Sequence, residues 1–202
     1  MSFDSRKYWE NRYLRGATSG WGSYGTASRY KTAVINDFLE RFKPNSAIEF
    51  GCGDGNQLRS INYKNYLGLD FQPAVEICKE LYKNNKNLNF DSVDNYTGQK
   101  ADLTLSLDVI YHLVEDEVFR NYMNNLFNSS KKYVVVFTTD RNDIVGTTVE
   151  HCFSRAVSPY IKQNFKNFVP LEFESANRPK NFYKKNPFSD ANFLFFERVK
   201  ND

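Results

Sequence analysis

Apolar residues along this chain follow two alternating rhythms. Short runs, Ala47 to Phe50, Tyr66 to Leu69, Leu88 to Phe90, Ala101 to Leu107 and Tyr133 to Phe137, read as strands. Between them apolar side chains return at helical spacing. Tyr30, Val34, Phe38 and Phe42, flanked by Ile35 and Leu39, form one stripe that Pro44-Asn45 ends. Val75, Cys78, Leu81 and Tyr82 form a second, opened by Gln72-Pro73 with proline where a first turn accepts it. Val114, Val118, Tyr122 and Leu126 form a third, and Glu115-Asp116-Glu117 suit the positive end of its dipole. Asn56 and Gln57 open what reads as a further helix. The uninterrupted run at Tyr133 to Phe137 fits a strand covered on both faces. Such alternation predicts an α/β fold, a Rossmann-like doubly wound, mostly parallel sheet with helices on both faces.

The two ends differ from this middle. Residues 5 to 15 predict a short helix presenting Tyr8, Trp9 and Tyr13, followed by a glycine-rich loop from Gly16 to Gly25 that carries Trp21 and Tyr24. Towards the C-terminus, Ser154 to Phe165 predicts a helix interrupted near Pro159. Phe168 to Phe173 and Asn192 to Val199 predict a pair of antiparallel edge strands. With 202 residues and no repeat or linker, one domain is expected, an extension over 1–27 and a core over 28–202.

The strongest chemical signal is Glu49-Phe50-Gly51-Cys52-Gly53-Asp54-Gly55. Glycines at alternate positions after a strand let the chain turn sharply and let a nucleotide-like ligand lie against the backbone. The spacing departs from the dinucleotide pattern Gly-x-Gly-x-x-Gly, because position 56 is Asn. Two carboxylates, Glu49 and Asp54, also disfavour a pyrophosphate and favour a cationic or zwitterionic ligand. Asp70 ends the second strand, 19 residues after Gly51, where an acid can accept from both ribose hydroxyls.

With Ser106-Leu107-Asp108-Val109-Ile110-Tyr111-His112-Leu113 after the fourth strand, these residues resemble the class I S-adenosylmethionine-dependent methyltransferases, over roughly residues 28 to 139. The resemblance implies a seven-stranded sheet with an antiparallel C-terminal strand and S-adenosylmethionine as cofactor. It implies that Gly51, Gly53 and Gly55 admit the amino-acid moiety, with Glu49 and Cys52 also in the cofactor site, that Asp70 holds the ribose, and that Phe71 packs on an adenine face. Asp91, with Asp94 competing, takes the adenine amine, and Leu107 and Asp108 border the cofactor. The N-terminal Tyr8 to Tyr13 and Ser19 to Gly25 look like small bacterial enzymes of capsule and surface-glycan pathways. That likeness points to a sugar hydroxyl or a nucleotide-linked phosphoramidate as acceptor.

His112 is the candidate base for an acceptor hydroxyl, since imidazole changes charge near neutral pH. Tyr8, Arg12, Trp21, Tyr24, Tyr111 and His151 are candidate substrate contacts, and Arg155 a candidate fork for an anionic group. Thr139 to Asp143 with Asp108 faintly resembles the ligands of magnesium-dependent catechol-type enzymes, but the surrounding match is poor and no metal is expected. Cys52, Cys78 and Cys152 lack metal-ligand spacing and fit a reduced, cytoplasmic protein. Net charge is +3 and the pI near 8.6, too mild for nucleic acid. No apolar run approaches the ~18 residues of a membrane span. The expected partner is a small-molecule substrate. Two alternatives stay open: a non-catalytic cofactor-binding subunit, and an NAD-dependent oxidoreductase.

Overall fold

A computed structural model describes residues 3–143, 149–176 and 191–199; the termini of the predicted domain lie outside the described residues. The apolar runs assemble as β1 (Ala47–Phe50), β2 (Tyr66–Asp70), β3 (Leu88–Ser92), β4 (Ala101–Leu107), β5 (Ser130–Thr138), β6 (Phe168–Pro170) and β7 (Asn192–Arg198). They form one sheet in the order β3-β2-β1-β4-β5-β7-β6, in which only β7 runs against the others. The order reverses between β1 and β4, whose register pairs Glu49 with Leu105. That reversal opens a crevice at the carboxyl ends of the strands.

Alternation along the strands supplies two cores. Val135 and Phe137 of β5 face α2 (Gly25–Phe42) and α3 (Gln72–Leu81), packing with Val34, Phe38 and Val75. Val134 and Val136 face the other way, onto α4 (Asp116–Asn128) and α5 (Val157–Asn164), with Met123, Phe127 and Ile161. Every residue of β4 is buried, as its central position requires. A further helix, α1 (Ser5–Leu14), precedes the core and is capped by the Asp4 carboxylate.

Several local expectations change. Residues 56–60 make a short 3₁₀ turn, not an α-helix. The Asn36 amide donates to the Ser60 carbonyl and its oxygen accepts from the Asn62 amide, which holds that backbone extended towards β2. In α3, Leu81 is 39% exposed and not inward. In α4 the buried stripe is Phe119, Met123, Leu126 and Phe127, because the helix starts at Asp116, after Val114. The predicted interruption of α5 is absent, since Pro159 falls in its first turn, where no intrahelical donor is needed. The strand from Phe168 stops at Pro170; the Leu171 amide still donates to the Phe195 carbonyl of β7 at 2.8 Å, and Leu171 and Phe173 pack on the core. Among the described residues no helix is long and apolar enough to cross a membrane.

Candidate active site

The loop after β1 builds one wall of the crevice. The amides of Gly51 and Cys52 both donate to the Leu69 carbonyl, at 2.7 and 3.2 Å, which turns the chain across the end of β2. Gly53, at φ +60°, donates to Asp70 Oδ2 at 2.7 Å, and Phe71 donates to Oδ1 at 2.7 Å. A Cβ on Gly53 would collide with the Ser19 hydroxyl, so the close approach requires glycine. Burial pushes the Asp70 carboxyl up to about 6 despite these two donors, and each oxygen keeps a lone pair for a ligand hydroxyl.

Two acids of that loop turn elsewhere. Glu49 is buried beneath it, accepts from the Tyr66 hydroxyl at 2.7 Å and is pushed by burial up to about 7. Asp54 accepts from the Ser19 amide and the Tyr24 hydroxyl, both at 2.8 Å. Neither lines the crevice. The carboxylates therefore do not supply the preference for a cationic ligand that their place in the sequence suggests; one supports the core and the other ties down the N-terminal segment.

That segment roofs the crevice. The Ser5 amide donates to Glu115 Oε1 at 2.8 Å. Arg6 forks onto both Asp94 oxygens, at 2.8 and 2.5 Å, with its guanidinium over the Phe71 ring. Arg6 holds the Asp94 carboxyl below its usual range. Asp91 is half-buried and accepts from the Ser92 amide and the Asn95 side chain, both at 2.8 Å, and Val93 lines the crevice where Asp91 does not.

Asp108 stands on the opposite wall with a left-handed backbone, φ +62°. One of its oxygens is paired with the Lys31 ammonium and the other accepts from the Tyr111 hydroxyl at 2.9 Å. Lys31 is fully buried in α2, with its ammonium over the Phe137 ring. His112 follows. Its Nδ1 lies 2.8 Å from the His151 carbonyl, which can only accept, so Nδ1 carries the proton and Nε2 is free. Burial pushes the His112 imidazole down to about 4, against that hydrogen bond, and His151 and Arg12 add to the effect. The His151 ring stacks on Tyr8 at 4.8 Å, and Trp9 meets His112 edge-on at 4.7 Å.

A cavity of about 550 Å³ runs between these walls under α1. Of the residues singled out in the sequence, Gly51, Gly53, Asp70, Phe71, Leu107 and Asp108 line it from the sheet side. Tyr8, Arg12, Trp21, Tyr111, His112 and His151 line it from the other. Glu49, Cys52, Tyr24 and Asp91 do not. Cys52 is buried beside Cys78, which pushes its thiol up. Arg155 is taken by the Leu113 and Val114 carbonyls and Asp116. Asp140, Asn142 and Asp143 receive backbone amides at and before the start of α5.

Lys31 escaped the sequence reading, although Lys31, Val34, Ile35 and Phe38 share helical spacing and so place a charge on the buried face. Folding also gathers His112, His151 and Cys152, whose nitrogen and sulfur atoms lie within 4.8 Å of one another. Cys152 Sγ is 3.4 Å from His112 Nδ1. This N₂S set joins residues that are distant in sequence, so spacing could not reveal it.

No family profile and no curated protein matches the chain. Solved structures do. N-methyltransferase NodS from Bradyrhizobium japonicum WM9, in complex with S-adenosyl-L-homocysteine, superposes with a TM-score of 0.68 at 13% identity, over 98% of this chain and 100% of that one. The fold is that of the S-adenosylmethionine-dependent methyltransferases. An O-methyltransferase family protein from Burkholderia thailandensis gives 0.62 at 13% identity over 87% of this chain; the chain spans 57% of that protein's length. The 4+2 cyclase SpnF gives 0.64 at 14% identity, over 100% of this chain and 98% of that one. At such identities the likeness is one of fold.

Proposed function

We propose that this protein is an S-adenosylmethionine-dependent methyltransferase that methylates a hydroxyl on a small-molecule acceptor. The observation that carries this reading is the single cavity that joins the Asp70 end to the Asp108 and His112 end. The residues fit the cofactor. Asp70 offers two fixed oxygens to a ribose, Leu69, Phe71 and Val93 offer apolar surface to a base, and Gly53 leaves backbone bare where a side chain would intrude. NodS, with the same fold, holds S-adenosyl-L-homocysteine.

When bound, the cofactor would supply a sulfonium methyl group, whose carbon takes the acceptor oxygen in line as the C–S bond breaks and the neutral thioether leaves. The chain's own part is alignment and the exclusion of water. α1 and residues 18–24 close the cavity through Glu115, Asp94 and Asp54, and a sealed, oriented pair of reactants reacts as if at very high local concentration. His112 Nε2 accepts the proton of the acceptor hydroxyl. Held neutral across the neutral range, it is always available but only weakly basic, so orientation carries more of the rate than proton transfer. Asp91 has no place in this scheme. The acceptors to screen first are sugar hydroxyls and nucleotide-linked phosphoramidates, the class suggested by the capsule-pathway likeness. Free thiols at Cys52 and Cys78 fit a cytoplasmic setting.

A second reading is cofactor binding without methyl transfer, which the fold of the cyclase SpnF supports. Calorimetric titration with S-adenosylmethionine, S-adenosyl-L-homocysteine and NADH separates the readings. Binding of the two sulfur nucleosides and not NADH, followed by acceptor turnover that His112→Ala lowers, sustains the proposal. Binding without turnover across the acceptor panel favours the second reading, and NADH binding alone overturns both.

A further inference from the structure

Four cavity-lining residues carry a formal charge, Arg6, Arg12, Asp70 and Asp108. Arg6 is matched by Asp94 and Glu10, and Asp108 by Lys31 with the Tyr111 hydroxyl. Asp70 is held by two backbone amides at the cofactor end. Arg12 is different. Its Nε donates to the Thr18 carbonyl at 2.7 Å and its guanidinium packs over Trp9, 5.5 Å from the ring centre. Among the described residues no carboxylate pairs with it. One edge of the planar fork is thus fixed while the terminal nitrogens stay open. Gly20 leaves room beside Nη2: an added Cβ there would lie 3.7 Å away.

The open fork sits at the acceptor end. Trp9, on which it packs, touches His112, and the Arg12 charge contributes to holding both His112 and His151 below their ordinary range. Those imidazoles come from the segments after β4 and β5, across the crevice from Asp70. With Asp108 already neutralised, the unbalanced charge at this end is a cation.

We propose that Arg12 is an oxyanion subsite: the acceptor carries a carboxylate or phosphate group that seats on this guanidinium while its hydroxyl faces His112. A planar guanidinium receives such groups through two parallel hydrogen bonds, and a cavity with one unmatched cation selects for them. The assignment deepens the methyltransferase reading and rests on it. The rival source of the same chemistry is the carboxylate of the cofactor itself.

The test uses protein saturated with S-adenosyl-L-homocysteine, titrated with inorganic phosphate and with acetate by calorimetry. In parallel the two histidines, the only ones in the chain, are followed by imidazole NMR. One or both anions bind, His112 and His151 titrate at higher pH once an anion offsets Arg12, and Arg12→Gln weakens anion binding by about tenfold or more. Arg12→Lys keeps part of the affinity, and both variants bind S-adenosyl-L-homocysteine within about twofold of wild type. A loss of about tenfold in S-adenosyl-L-homocysteine affinity in Arg12→Gln overturns the proposal in favour of the cofactor carboxylate. Anion binding that ignores the substitution, or no anion binding at all, overturns it outright. If wild type binds no S-adenosyl-L-homocysteine, the methyltransferase reading falls, and the same anion titration of ligand-free protein still decides whether Arg12 forms the subsite.

Discussion

Ser19 and Asp54 hold each other reciprocally: the Ser19 amide donates to Asp54 Oδ2, and the Asp54 amide donates to Ser19 Oγ, both at 2.8 Å. This pair joins the N-terminal roof to the glycine-rich loop, and the Tyr24 hydroxyl adds a third bond to the same carboxylate. Asp54→Ala leaves these donors without their acceptor, a local loss of about 1–3 kcal/mol. Trypsin should then cut faster at Arg12 and Arg15, while the unfolding of the sheet by circular dichroism barely moves. Unchanged proteolysis would show that Ser5 and Arg6 alone secure the roof.

Lys31 and Asp108 make a pair whose side chains are 1% and 12% exposed. Removing one partner of a buried pair strands the other, at roughly 3–5 kcal/mol. Lys31→Met should therefore lower the urea midpoint strongly, and adding Asp108→Asn should recover most of the loss. A double-mutant cycle showing simple additivity would contradict this coupling.

Two buried groups give stability opposite slopes against pH. Glu49, raised from 4.5 to about 7, makes the folded state bind more protons than the unfolded one in that window, so stability falls as pH rises through it. His112, lowered from 6.5 to about 4, makes the folded state bind fewer, so its contribution rises with pH between those values. Glu49→Gln should leave a nearly level profile, because the rise from His112 between about 4 and 6.5 is met by the fall from Asp70, raised from 3.8 to about 6. His112→Gln should leave one that only falls. Urea midpoints of both variants across pH 4.5 to 8, compared with wild type, decide the matter; curves parallel to wild type would refute it.

Gly22 lies against the Asp108 carboxylate so closely that a Cβ would sit 2.5 Å from Oδ2. Gly22→Ala should lift residues 18–24 off that wall. Trp21 is 95% exposed and has no packing to lose, so thermal stability should change little. Faster hydrogen exchange confined to the amides of residues 18–24 is the expected result, and unaltered exchange there would count against it.

Much of this was legible beforehand, for identifiable reasons. Strands and helices announce themselves through local periodicity, so the apolar runs of β1, β2, β4 and β5 and the stripe of α2 are legible in the sequence. That Asp70 and the glycine loop meet at one sheet edge is legible because each follows directly on a strand, β2 and β1, that the apolar runs mark out. In the sequence Asp54 reads only as a charge on the ligand loop, because its partners, Ser19 and Tyr24, lie some thirty residues upstream. Lys31 is opaque for a related reason: its meaning depends on Asp108, 77 positions away. The turn at residues 56–60 failed as a helix because the side chain of Asn36, on another element, captures its backbone.

The left-handed backbone of Asp108 has a practical consequence for anyone improving this protein. A residue with a Cβ forgoes there on the order of 1 kcal/mol that glycine would return, while asparagine would remove the buried charge. A screen scored on melting temperature alone, applied to libraries that relieve the Lys31 pairing at the same time, will drift towards Asp108→Gly or Asp108→Asn. Each would give a sturdier protein with no carboxylate on that wall, so the easiest route to robustness leads away from whatever Asp108 was kept to do.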